Sequence, residues 1–170
     1  MALALRLVLP LAISLWVDPV ALVAAPTPSA AGTGWSWPVA GPVIRGFDPP
    51  QTPFGAGHRG IDIAVATGTL VVAPEAGSVS FAGKVGGELF VTIDHGGGLS
   101  STYSWVSATL VRRGDLVPRG WPIALSGNGH PGSVVPQLHL GAKRDGAYVD
   151  PLALLGPVGV SGFIRLAPLD

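Results

Sequence analysis

The sequence predicts an all-β protein with an antiparallel sheet core, built as a sandwich or half-closed barrel. Three observations predict it. Glycine (25 residues) and proline (17) are abundant, and charged residues make up only 12 % of the 170 positions, so few segments can sustain a helix. Apolar runs of strand length recur between turn clusters such as Gly86-Gly87 and Gly96-Gly97-Gly98. After residue 35, no ten-residue stretch holds a helical period free of Gly and Pro.

Taken in order, the chain opens on one early cation, Arg6, and an apolar stretch from Leu7 to Val17 that Asp18-Pro19 interrupts. The stretch is short for a membrane span, and small residues follow it, so residues 1–31 read as an export signal. Pro26 disfavours a cut directly after Ala25, which leaves Ala31 as a cleavage site. Left uncleaved, the segment would hold the domain at a membrane and still outside. Residues 32–36 close a Pro/Ser/Ala/Gly-rich stretch and read as a short tether. The domain is expected over 37–155. Its candidate strands are "PVIRGF", "GIDIA", "TLVVA", "GSVSFAG", "ELFVTIDH", "LSSTYSWV", "WPIALSG" and "QLHLGAKRDG". "ELFVTIDH" alternates with period two, as a half-buried strand should. Residues 156–170 form a C-terminal extension in which "GFIRLAPL" reads as an extra strand.

Composition excludes several function classes. Ten basic and ten acidic residues give no net charge and no basic run, against an electrostatic nucleic-acid surface. Without cysteine there is neither a disulfide nor a thiolate metal site. A carrier domain would present a lysine at an exposed hairpin tip, and none is evident.

Two stretches carry chemistry. "HRGIDIA" sets His58 and Asp62 four residues apart at a turn-to-strand junction, with Gly60 between them permitting a tight backbone. "LHLGA" sets His139 between Leu138 and Leu140, so on a strand it faces away from both leucines. Catalytic zinc takes about three protein ligands and one open position, and His and Asp are suitable donors. Spacing alone fits four ordinary, satisfied polar histidines better than it fits a metal site.

The succession "GHRGIDIAVATGTLVVAPEAGSVSFAG", "GELFVTIDHGGGLSSTYSWV", "LVRRGDLVPRGWPIALSGNG" and "QLHLGAKRDGAYVDP" resembles the LytM/lysostaphin-type zinc endopeptidases, from about Trp37 to Pro151. Those enzymes cut peptide bonds in peptidoglycan. The resemblance implies a β core of the duplicated hybrid motif (barrel-sandwich) type, with Zn2+ in a groove held by His58, Asp62 and His139. It also implies two catalytic histidines that this chain lacks. The middle-strand histidine of the family is Trp105 here, and the first histidine of its His-x-His element is Gln137. Neither an indole nor an amide exchanges protons near neutral pH, although both can donate a hydrogen bond. Where the family often has Phe-Glu, this chain has Leu140-Gly141. His130, in a loop that borders the groove in the family, is the candidate substitute base, against the more ordinary reading of a solvent-exposed loop histidine. His95 reads as structural, Asp94 and Asp150 as turn residues, and Tyr103 as groove-lining or as a packing residue at a strand surface. The expectation is an exported, wall-associated, zinc-binding metalloendopeptidase-like domain directed at peptidoglycan peptides, with weak hydrolysis. The alternative is a non-catalytic domain that binds cell wall, or regulates a cell-wall hydrolase, through the former substrate groove.

Overall fold

Period-two alternation buries one face of each long strand and leaves the other for the site. The structure, a computed structural model, describes residues 34–52 and 55–157. The export segment and the expected strand "GFIRLAPL" lie outside the described residues. Eleven strands follow in order: β1 (Val43–Arg45), β2 (Ile61–Ala64), β3 (Leu70–Val72), β4 (Gly77–Val85), β5 (Glu88–Asp94), β6 (Leu99–Val106), β7 (Ala108–Thr109), β8 (Leu116–Val117), β9 (Pro122–Leu125), β10 (Gln137–Arg144) and β11 (Ala147–Val149). A short 3-10 turn, Pro151–Ala153, follows. The expected all-β, antiparallel class is the one observed. β7 and β8 escape a sequence reading because two residues carry no period.

The larger sheet runs β1-β2-β10-β6-β5-β4-β8, with β11 paired to β10, and the smaller runs β3-β9-β7. One hydrophobic cluster joins them. From the larger sheet come Ile61 and Ile63, Leu138 and Leu140, Val91 and Ile93, and Val79; from the smaller come Val71 and Ile123. All are essentially inaccessible to solvent, and each such side chain contributes roughly 1.5–3 kcal/mol by leaving water. Alternation then sends Asp62, His139, Thr102 and Ser104 to the opposite face.

Tyr103 follows the same parity. The resemblance made it groove-lining, but it is fully buried, on the core side of β6, while its neighbours Thr102 and Ser104 take the groove side. Its hydroxyl ends a buried chain. Ala76 O accepts from His95 Nδ1 at 2.9 Å, which leaves His95 Nε2 to accept from Ser101 Oγ at 2.8 Å. Ser101 Oγ in turn accepts from the Tyr103 hydroxyl at 2.9 Å. Burial pushes the Tyr103 hydroxyl far up and out of ordinary titration.

His95 is held below the usual imidazole range by burial, which outweighs the Ala76 carbonyl and the charges of Glu75 and Asp94. Protonating it would reverse the Ser101 bond and leave one hydroxyl hydrogen of the Ser101–Tyr103 pair without an acceptor in the core. The unfolded chain therefore takes up a proton near pH 6.5 that the folded chain refuses until the pH is lower. Stability is expected to fall as pH drops below about 6.5. The urea midpoint from pH 7.5 to 5 should decline less steeply in His95→Gln, whose amide can keep both hydrogen bonds.

Two turn residues act locally as expected. Asp94 Oδ1 accepts from Gly96 N, and Asp150 caps the 3-10 turn by accepting from Leu152 N, each at 2.9 Å. The tether expected at 32–36 differs in its last residues. Trp35 donates its N–H to Leu154 O and accepts from Gly156 N, each at 2.7 Å, and its ring lies 4.9 Å from that of His95. Ser36 N and Oγ both donate to Pro74 O, at 2.9 Å each. The tryptophan is 4 % exposed, and so large an apolar side chain is stabilised by packing rather than by solvent.

Candidate metal centre

Register brings the two motifs together. β2 and β10 pair antiparallel with His139 directly opposite Asp62, so their side chains share the outer face of the sheet. His58 enters from the preceding turn, where its backbone pairs both ways with Asp48, at 2.7 and 3.0 Å. Gly60 permits the approach, since a Cβ there would collide with Leu140 O and lie 2.8 Å from His139 Nε2.

Three donor atoms converge. His58 Nε2 lies 3.1 Å from both Asp62 Oδ1 and His139 Nδ1, and His139 Nδ1 lies 2.8 Å from Asp62 Oδ1. The edge of a zinc tetrahedron with 2.0–2.1 Å bonds is about 3.3 Å, so the separations are close to those of a ligand set. Gly46 O accepts a hydrogen bond from His58 Nδ1 at 2.7 Å, which in the neutral ring leaves the Nε2 lone pair facing the cluster. Asp62 is 1 % exposed. Burial alone would raise its carboxyl, but the hydrogen bond and positive field of His139, with His58 and His130, hold it below the usual carboxylate range. Two imidazole nitrogens and one ionised carboxylate suit a borderline-soft divalent ion.

The groups around this cluster decide what it can do. β5 and β6 slip register between Leu89 and Phe90, which makes Trp105 the extra residue of a bulge, at φ 56°. A bulky residue in that region costs on the order of 1–3 kcal/mol. The bulge turns its indole toward the cluster, with ring centroids 5.5 Å from both His139 and His130 in edge contacts. The expected replacement of a catalytic histidine thus stands beside the candidate ligands as a hydrogen-bond donor with no basic nitrogen.

Gln137 lies two residues before His139 on β10, under the loop of residues 127–136, and is 2 % exposed. Its Oε1 accepts from Ser133 Oγ at 3.0 Å, and its Nε2 is buried with no partner among the described residues. Gly129 makes this fit possible, because a Cβ there would lie 2.5 Å from Gln137 Cγ. The amide is committed to the loop.

His130 is brought to the site by that same loop. Its Nε2 lies 3.2 Å from Asp62 Oδ2, the carboxylate oxygen turned away from the three-atom cluster, with a side chain 26 % exposed. From His139 and Trp105 a cleft of about 460 Å3 runs along β10 to Tyr148. Ser104, opposite His139 on β6, lines it, as do Arg59, Lys143 and Tyr148. Sequence reasoning singled out none of these four. The signal for Lys143 was available, since period two from His139 passes through Gly141 to Lys143.

Comparison with known proteins gives this arrangement a context. The family model for peptidase family M23 matches residues 56–151, more than half of the chain. An uncharacterized protein of Mycobacterium tuberculosis is 40 % identical over 141 residues, covering 79 % of this chain and 55 % of the relative. The murein hydrolase activator NlpD of Salmonella dublin is 33 % identical over 129 residues, covering 75 % and 33 %. Among solved structures, a zinc-containing peptidase from Vibrio cholerae superposes with a TM-score of 0.62 at 28 % identity, covering 70 % of this chain and 39 % of that one. The chain spans about half or less of the length of the curated relatives it matches. It belongs to peptidase family M23.

Proposed function

We propose that this chain is an exported zinc-binding domain that seats peptidoglycan peptides in the cleft beside Trp105 and hydrolyses them slowly. One observation carries the proposal: a convergent His58–Asp62–His139 cluster flanked by an indole and a buried amide. Zinc in that cluster would supply Lewis-acid polarisation of a peptide carbonyl. His58 and His139 would hold it through Nε2 and Nδ1, and Asp62 through Oδ1. Ser104 and Trp105 would border the bound peptide, and the indole N–H is a donor available to a developing oxyanion. What is missing is proton transfer. Positioned acid–base groups contribute about 10²- to 10⁴-fold each, and neither position can act so here. Membership in family M23 and the likeness to a zinc-containing peptidase support the metal and the substrate class. The export segment read in residues 1–31 supports an extracytoplasmic, wall-associated site.

His130 acts on Asp62 rather than on substrate. A donor to Oδ2 fixes the carboxylate so that Oδ1 faces the metal, and such outer partners are typically worth 10- to 100-fold in metal affinity. His130→Ala is therefore expected to weaken zinc binding at least about tenfold. Competition against a chromophoric chelator measures this, with circular dichroism reporting the fold.

A second reading is favoured by likeness to a murein hydrolase activator: the cleft binds wall peptides while the domain regulates a separate hydrolase. One experiment tests the proposal and separates the two. Zinc-loaded protein is sedimented with purified peptidoglycan, and new peptide ends are counted with and without an added wall hydrolase. Co-sedimentation with slow, zinc-dependent release is the expected result. Release that rises only with the added hydrolase favours regulation. Folded, zinc-loaded protein that stays in the supernatant would overturn both.

A further inference from the structure

The cleft carries its cations, Arg59 and Lys143, at the Tyr148 end and an uncharged floor from there toward His139. On the outer face of β10, period two places His139, Gly141 and Lys143 in line, about 13 Å from first to last at strand rise. The Lys143 ammonium sits over the Tyr148 ring, 4.5 Å from its centroid, and the Arg59 guanidinium lies 5.9 Å from the same ring. Arg59 also donates from Nη2 to Gly55 O at 3.1 Å, which holds that cation at the cleft edge. Among the described residues Lys143 forms no ion pair with a carboxylate. The floor between the ends is Gly141, Thr102, Thr92 and Ser104, and among the described residues no Asp or Glu lines the cleft. At the other end, a divalent ion held by His58, Asp62 and His139 would outweigh the single Asp62 carboxylate and leave net positive charge.

Such a cleft discriminates between peptides. An uncharged glycine-type peptide gains nothing from the distal cations. An extended peptide spans about 3.3–3.6 Å per residue, so a side-chain carboxylate three to four residues from the bond at His139 reaches Lys143. Low-dielectric walls from Phe81 and Phe90 strengthen that attraction and accept small apolar side chains. We propose that Lys143, held on Tyr148 and assisted by Arg59, forms a subsite for a free carboxylate. The cleft then selects acidic peptidoglycan stem peptides over amidated stems or uncharged bridges. This rests on the reading of the cleft as a peptidoglycan-peptide site.

The test is equilibrium binding of zinc-loaded protein to one soluble stem peptide in two forms, with carboxyl groups free or converted to amides. Fluorescence anisotropy is read at low and at physiological salt. The acidic form is expected to bind about fivefold more tightly, the advantage shrinking with salt. Lys143→Gln should remove the preference and Lys143→Arg should keep it, both with unchanged melting temperature. Equal binding of the two forms overturns the subsite and leaves the wall-peptide reading standing. No binding of either form by folded, zinc-loaded protein overturns that reading, and the subsite with it.

Discussion

Trp105→His combined with Gln137→His is expected to raise peptide release from purified peptidoglycan at least a hundredfold, on the order of what one acid–base group contributes. The double variant places imidazoles at the two positions where the family resemblance expects the catalytic histidines. The backbone favours the first change. Trp105 sits at φ 56°, a region in which histidine is several-fold enriched and a bulky indole is strained. The second change removes a buried amide nitrogen that has no partner, at a site where an unmet donor costs roughly 1–3 kcal/mol. Each single variant should recover less than half the logarithmic gain, because groups that act as a unit are far from additive. The measurement is the rate of new amino ends at saturating zinc. A double variant that binds zinc and stays at the parental rate would place the deficiency elsewhere in the cleft.

Asp62→Ala is expected to abolish zinc retention, lowering affinity well beyond the 10- to 100-fold of an outer partner and on the order of a thousandfold. Asp62 is the hub of the cluster, facing His58 and His139 through one oxygen and His130 through the other. Its removal takes the one anion from among three imidazoles, at a position 1 % exposed. Asp62→Asn separates charge from shape, keeping the volume and one acceptor oxygen while removing the anion. It should retain the fold and still lose most zinc. Isothermal titration of both variants, beside the parent, reads the difference directly.

Much of this was legible in the chain, for physical reasons. Strands were marked by apolar alternation between glycine turns, and that alternation alone fixes Ile61 and Ile63 inward and Asp62 outward. His139 was readable the same way, between two buried leucines. The bulge at Trp105 was not, because an extra residue breaks the period that would have announced the side chain's direction. Tyr103 was misplaced because resemblance assigns a position and not a parity, and its inward direction emerges from pairing with β5 and β10. His130 was readable as a candidate but not as a partner of Asp62, since no local pattern spans a separation of 68 positions. Trp35 illustrates the same limit, for its packing depends on Leu154 and Gly156 at the far end of the domain.

If His58, Asp62 and His139 hold zinc as proposed, the ion stays with the protein when free zinc is stripped away. The most direct test is the zinc content of purified protein after dialysis against a weak chelator, by elemental analysis. One zinc per chain is expected in the parent and in Trp105→His, and none in Asp62→Ala. A folded parent protein that retains no zinc would contradict the proposed site.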